Sequence, residues 1–205
     1  MTDLSFIHRY EPATDPDRPP LLLLHGTGGD ENDLLGLGRM ISPGSALLSP
    51  RGRVLENGMP RFFRRLAEGV FDEEDVRSRA NELADFVAEA RKAYGLEAPV
   101  AVAFSNGANI AAAMLMLRPE ALSSAALLRA MVPLSHAPQP DLAGKRVLMI
   151  SGAMDPIIPA DNSKRLAASL SASGADVQHE VLPTGHNLSQ TDLQLLVRWF
   201  AGNGK

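Results

Sequence analysis

The chain has 205 residues, 45% of them apolar and 21% charged, with a formal net charge of −4. That size and composition suit one compact domain and exclude disordered or fibrous classes. Lys and Arg are scattered, so no basic face is available for nucleic acid. The lack of cysteine excludes disulfides and thiolate metal sites.

The start Met1-Thr2-Asp3-Leu4 lacks the basic end and apolar centre of a signal peptide, which points to the cytoplasm. No apolar run approaches the roughly 20 residues that span a bilayer, so a soluble protein is expected. Short apolar runs alternating with longer helical patterns predict βαβ units. The expected fold class is therefore α/β, a mostly parallel sheet with helices on both faces, in a single domain over residues 1–205.

In chain order, Glu11 to Pro20 reads as a loop, and the first clear strand is Leu21 to Leu24. It ends at His25 and opens the glycine turn His25-Gly-Thr-Gly-Gly29; a second strand covers Ala46 to Ser49. Residues from Pro50 to Asp75 mix five arginines with Phe62, Phe63 and Phe71 and keep no period. They read as a short helix in a long connection, or a flap. Ala80, Leu83, Val87, Ala90 and Tyr94 recur at helical spacing up to Gly95.

A strand from Pro99 to Phe104 leads into an almost wholly apolar helix over Ala108 to Leu117, stopped by Pro119. Strands at Ala125 to Leu128, Val147 to Ser151 and Val177 to Leu182 follow. A last helix from Gln190 to Phe200 carries Leu193, Leu196, Val197 and Phe200 on one face.

The strand ending at Phe104 runs directly into Ser105-Asn106-Gly107 and a helix, the setting in which a nucleophile elbow forms. Such an elbow needs small residues two before and two after the serine, and Ala103 and Gly107 stand there. Asp155 follows the strand Val147 to Ser151, and His186 follows the strand ending at Leu182, so Ser, Asp and His fall in hydrolase order at carboxyl ends of strands. Each alone has a plainer reading: Ser105 as a helix cap, Asp155 as a turn carboxylate before Pro156, His186 as a cap of the last helix. Their joint placement favours a catalytic triad.

Acyl transfer also needs two backbone N–H groups aimed at the developing oxyanion, and Thr27 in the glycine turn and Asn106 after the serine are the candidates. His25 reads as structural, and His8, His136 and His179 as surface or satisfied-core residues. A dinucleotide site at the glycine turn is disfavoured, because the third glycine position falls on Glu31. The run Asp72-Glu-Glu-Asp75 is explained by solvation and the helix dipole, so no metal is assigned. Met59, Phe62, Phe63 and Met131 are candidate substrate contacts with core roles equally open.

With these residues in hand, the chain resembles the phospholipase/carboxylesterase family of α/β-hydrolases, which includes bacterial carboxylesterases and acyl-protein thioesterases. The resemblance rests on Leu-His-Gly-Thr-Gly-Gly-Asp-Glu at 24–31, Ser-Pro-Arg-Gly at 49–52 and Phe-Ser-Asn-Gly-Ala at 104–108. It extends to Ser-Gly-Ala-Met-Asp-Pro-Ile-Ile-Pro at 151–159 and Gly-His at 185–186. Ala103 departs from the glycine usual in the family's elbow.

The run from Pro50 to Phe63 looks most like a bacterial carboxylesterase branch. The resemblance implies an α/β-hydrolase fold without a large lid, small-molecule esters of short-chain or aromatic type as substrates, no cofactor and frequent homodimers. Three functional readings follow: a carboxylesterase, an acyl-protein thioesterase told apart by substrate profile, and a hydrolase-fold binding protein that would bind without turnover.

Overall fold

The computed structural model describes residues 4–202. Its central sheet has seven strands: β1 (His8–Glu11), β2 (Leu21–Leu24), β3 (Leu47–Pro50), β8 (Val100–Phe104), β9 (Ser124–Leu128), β10 (Arg146–Gly152) and β11 (Asp176–Leu182). They lie in the order β1-β3-β2-β8-β9-β10-β11, all parallel except β1, which pairs antiparallel with β3 at one edge. This is the mostly parallel sheet expected from the alternation of elements, in the α/β-hydrolase arrangement that the family resemblance implied. β1 escaped the sequence because His8-Arg-Tyr-Glu11 is polar, as an edge strand can be.

Strand side chains alternate between faces, so a strand buried on both sides needs apolar residues throughout. In β2, Leu22 and Leu24 join the core built with α2 (Glu73–Tyr94), α3 (Asn106–Leu117) and α4 (Ala160–Ala172). Leu21 and Leu23 join the opposite core, built with α1 (Leu35–Ile41) and α5 (Gln190–Ala201). Helix α3 is buried on nearly every side, which accounts for its apolar composition. Neither α1 nor α4 was read from the sequence: α1 is short and contains Gly36 and Gly38, and α4 carries a weak apolar stripe whose buried residues are Ser163, Leu166 and Leu170.

Residues 50–72 are neither a helix nor a plain flap. Two small hairpins fill them, β4 (Val54–Glu56) with β5 (Met59–Arg61) and β6 (Arg65–Ala67) with β7 (Val70–Phe71). The signal was present: Asn57-Gly58 between two three-residue runs is a tight-turn pair, and both residues adopt positive φ, 52° and 80°. The short strands masked it, since three residues show no usable period.

Phe62 and Phe63 root the hairpins in the core at 3% and 0% exposure, Phe63 edge-on to Phe71. At the far end Asp72 caps α2, accepting from the Asp75 amide at 3.2 Å and from the Arg64 guanidinium at 2.9 and 2.6 Å. The acidic run is thus spent on a helix start, as its composition implied.

Among the described residues no helix is long and apolar enough to cross a membrane. Replacing Asp72 with Ala removes the cap and the hairpin tie together. It should move the urea midpoint to a lower concentration; an unchanged midpoint would show that the cap is not used.

Candidate active site

Four loops gather at the carboxyl edge of the parallel strands, where ligands bind in open α/β sheets. Ser105 follows β8, Asp155 follows β10, His186 follows β11, and the turn from His25 to Gly29 follows β2. Ser105 sits at φ 52°, a left-handed conformation that a non-glycine residue adopts only under constraint. Its amide donates to Leu128 O at 2.8 Å, and α3 begins at the next residue. The turn is tight enough that a Cβ at Gly107 would overlap the carbonyl oxygens of Leu24 and His25. At the other flank Ala103 is completely buried, and its methyl group is accommodated.

Ser105 Oγ lies 2.9 Å from His186 Nε2, and His186 Nδ1 donates to Asp155 Oδ2 at 2.8 Å. The other oxygen of Asp155 accepts from the amides of Ile157 and Ile158 at 2.8 and 3.1 Å, so the carboxylate is held from both sides. The His186 ring packs against Phe104, centroids 5.3 Å apart. With Nδ1–H committed to the carboxylate, Nε2 is free to take the serine proton, the arrangement needed for nucleophilic acyl transfer.

Thr27 and Asn106 lie on the rim of the same cavity as Ser105. Neither backbone amide donates to an acceptor among the described residues, so both remain available to a ligand. His25 fixes the turn that carries Thr27. Its Nε2 accepts from the Gly52 amide at 2.9 Å, which leaves Nδ1 as the donor to Gly26 O at 2.7 Å, and burial lowers the pKa of the ring. The Asn106 side chain ties the elbow to the hairpins by accepting from the Phe62 amide at 2.7 Å.

The cavity at Ser105 has a volume of about 400 Å³. Met131 lines it, as do Phe104, Ile157 and Ile158. Met59 instead lies beside Gly28 on the outer hairpin, half exposed, and Phe62 and Phe63 are core residues; none of these three lines the cavity. Burial assigns Phe62 and Phe63 to the core, while Met59 takes neither role and stays on the surface beside the glycine turn. Glu31, which counted against a dinucleotide, pairs bidentately with Arg51 at 2.5 and 2.9 Å.

Sequence reading missed Arg129. It stands at the end of β9, between the strands that carry Ser105 and Asp155, with φ 56° and no exposed side-chain surface. Nε donates to Gly185 O at 3.1 Å, and Nη2 reaches Thr184 Oγ1 and Asn187 O at 3.2 Å each. Nη1 bonds Ile150 O at 3.2 Å. Asp192 faces the fork at 2.7 and 3.0 Å. The carbonyls on both sides of His186 are therefore held by one guanidinium.

Burial opposes ionisation of Asp192, yet bonds from Arg129 and Ser189 outweigh it and lower its pKa. The loop is also pressed against β10, because a Cβ at Gly152 would overlap the carbonyl oxygens of Thr184 and Gly185. A lone arginine after Ala125-Ala-Leu-Leu128 was the available hint.

The profile of a family described as phospholipase/carboxylesterase matches residues 7–201. A Bacillus subtilis protein named as a hydrolase, MhqD, is 45% identical over 195 residues, covering 94% of this chain and 96% of its own. The crystal structure of a Bacillus cereus carboxylesterase superposes with a TM-score of 0.95 at 42% identity, over 98% of this chain and 95% of that one. A carboxylesterase from Mesorhizobium loti gives 0.92 at 36% identity, over 98% and 97%.

Arg129→Lys keeps a charge beside Asp192 but cannot reach both sides of His186. Serine labelling by a fluorophosphonate should slow about 100-fold in protein that is still folded at 25 °C, since a misplaced base costs about that much; unchanged labelling would show that the loop holds itself. For His25, burial keeps the folded ring neutral while the unfolded chain takes a proton near pH 6.5, so the unfolded state gains protons first on acidification. Its stability contribution is full above about pH 6.5 and is lost as pH falls below it. His25→Gln should flatten the fall in urea midpoint between pH 7 and 5, and a slope equal to wild type would contradict this.

Proposed function

Because the chain belongs to the phospholipase/carboxylesterase family of α/β-hydrolases, we propose that it is a serine carboxylesterase with Ser105 as nucleophile, His186 as base and Asp155 as the orienting acid. The observation that carries this reading is the unbroken hydrogen-bond chain from Ser105 Oγ through His186 to Asp155, at 2.9 and 2.8 Å, opening onto a cavity.

The chemistry follows from that chain. His186 Nε2 takes the Oγ proton as Ser105 adds to the ester carbonyl, and the oxygen that becomes negative is met by the amides of Thr27 and Asn106. The imidazolium, stabilised by Asp155, returns the proton to the departing alcohol. Water then repeats the sequence on the acyl-enzyme, freeing the acid and Ser105. Loss of one oxyanion donor costs about 3 kcal/mol of barrier stabilisation. Met131, Ile157, Ile158 and Phe104 supply apolar walls suited to a short acyl chain or an aromatic group.

Ser105→Ala should abolish the fluorophosphonate adduct seen by intact-mass spectrometry and lower p-nitrophenyl acetate turnover at least about 10⁴-fold. Folded wild type that gains no adduct and shows no turnover would overturn the esterase reading.

A further inference from the structure

The cavity at Ser105 has one apolar wall and one that is strongly polar. The polar wall is formed by Arg61 and Arg65 of the hairpin segment together with Asn106. The Arg61 side chain is only 3% exposed. Its Nε donates to Phe63 O at 3.2 Å and its Nη1 lies 2.9 Å from Glu56 Oε2.

The same Glu56 also serves Arg65, which donates to it from Nε at 2.9 and 3.2 Å and from Nη2 at 2.8 Å. One carboxylate is therefore shared by two guanidiniums, and one positive charge in the cavity wall is left uncompensated. Burial lowers the pKa of Arg61 first, and the neighbouring Arg65 adds to that lowering against the pull of Glu56. Glu56 offsets one of the two positive charges, and an arriving anion offsets the other.

Two neighbouring groups could have settled this charge, and neither does. Glu68, the acidic residue on the cavity lining, sits exposed near the tip of the second hairpin and forms no ion pair with either arginine among the described residues. Asn106 adds a further donor rather than an acceptor. Its Nδ2 is the one buried side-chain polar atom without a hydrogen-bond partner among the described residues, while its Oδ1 is taken by the Phe62 amide. The wall thus presents donors in excess of acceptors next to the nucleophile.

We infer that the esters taken by this site carry a free carboxylate, received by Arg61 and Arg65 while Ser105 attacks the ester carbonyl. This inference rests on the esterase reading and narrows it: the substrate is a half-ester of a dicarboxylic acid, or an ester whose alcohol part bears a carboxylate. The apolar wall takes the remaining carbon skeleton.

The test compares esters matched in skeleton, one bearing a carboxylate and the other a neutral group in its place. Mono(4-nitrophenyl) adipate is set against 4-nitrophenyl hexanoate for an acyl-side carboxylate. For the alcohol side, 4-acetoxybenzoate is set against 4-acetoxybenzamide. In at least one pair the anionic ester should have the higher kcat/KM by about 10- to 100-fold, the value of a hydrogen bond to a charged group. Its KM should rise with salt while that of its neutral partner does not.

Arg61→Gln should lower the anionic-to-neutral ratio at least about tenfold. Should that variant fail to fold, Arg65→Gln, at a more exposed position, should lower the same ratio in the same direction. Equal or higher kcat/KM for the neutral ester in both pairs overturns the inference and leaves the esterase reading standing. No turnover of any of the four esters by folded protein overturns the esterase reading, and the inference with it.

Discussion

A guanidinium removed from water must satisfy its donors inside the protein, and Arg129 does so by drawing together four parts of the chain. It sits on β9, between the strands that carry Ser105 and Asp155, and reaches the backbone of β10, the loop on either side of His186, and Asp192 on the first turn of α5. The position of the His186 loop relative to Ser105 is held by these hydrogen bonds, by the packing of His186 on Phe104 and by the close approach of Gly152 to Thr184 and Gly185. Asp192 doubles as the capping-box partner of Ser189, so the start of α5 and the placement of the imidazole depend on one buried ion pair.

The serine side of the site is held by sterics rather than charge. Ser105 occupies a strained backbone conformation, and the strain persists because β8 and α3 are both locked in the core around it. Gly107 lets α3 start directly against the end of β2. The same contact brings the turn after His25 to the elbow, which is how the Thr27 and Asn106 amides come to share one cavity. Neutral His25, buried under Phe62 with ring centroids 4.7 Å apart, links that turn to the hairpins.

The hairpin segment gives the cavity its chemical character. Its aromatic roots are buried, while two of its arginines, Arg61 and Arg65, line the cavity and share a single glutamate. A family scaffold of strands and glycine turns can serve many esters. The hairpin segment lies outside the central sheet, so a substitution there can change the charge of the cavity wall without disturbing the strands.

Six of the seven strands, the helices α2, α3 and α5, and the three residues of the hydrogen-bonded chain were legible in the sequence. Apolar runs bounded by Gly and Pro mark strands buried on both faces, and Ser105, Asp155 and His186 each follow such a run. These are local patterns, decided by residues close together in the chain. The hairpins were half legible, through Asn57-Gly58.

The burial of Phe62 and Phe63, the clamp of Arg129 on a loop more than fifty residues away, and the sharing of Glu56 between two arginines were not legible. A phenylalanine or arginine has the same local propensity on a surface, in a core or at a cavity wall. Its partner is chosen only when distant segments pack, so the order of Ser105, Asp155 and His186 along the chain was settled by the sequence, while tertiary contact decided what steadies them and what charge the cavity offers.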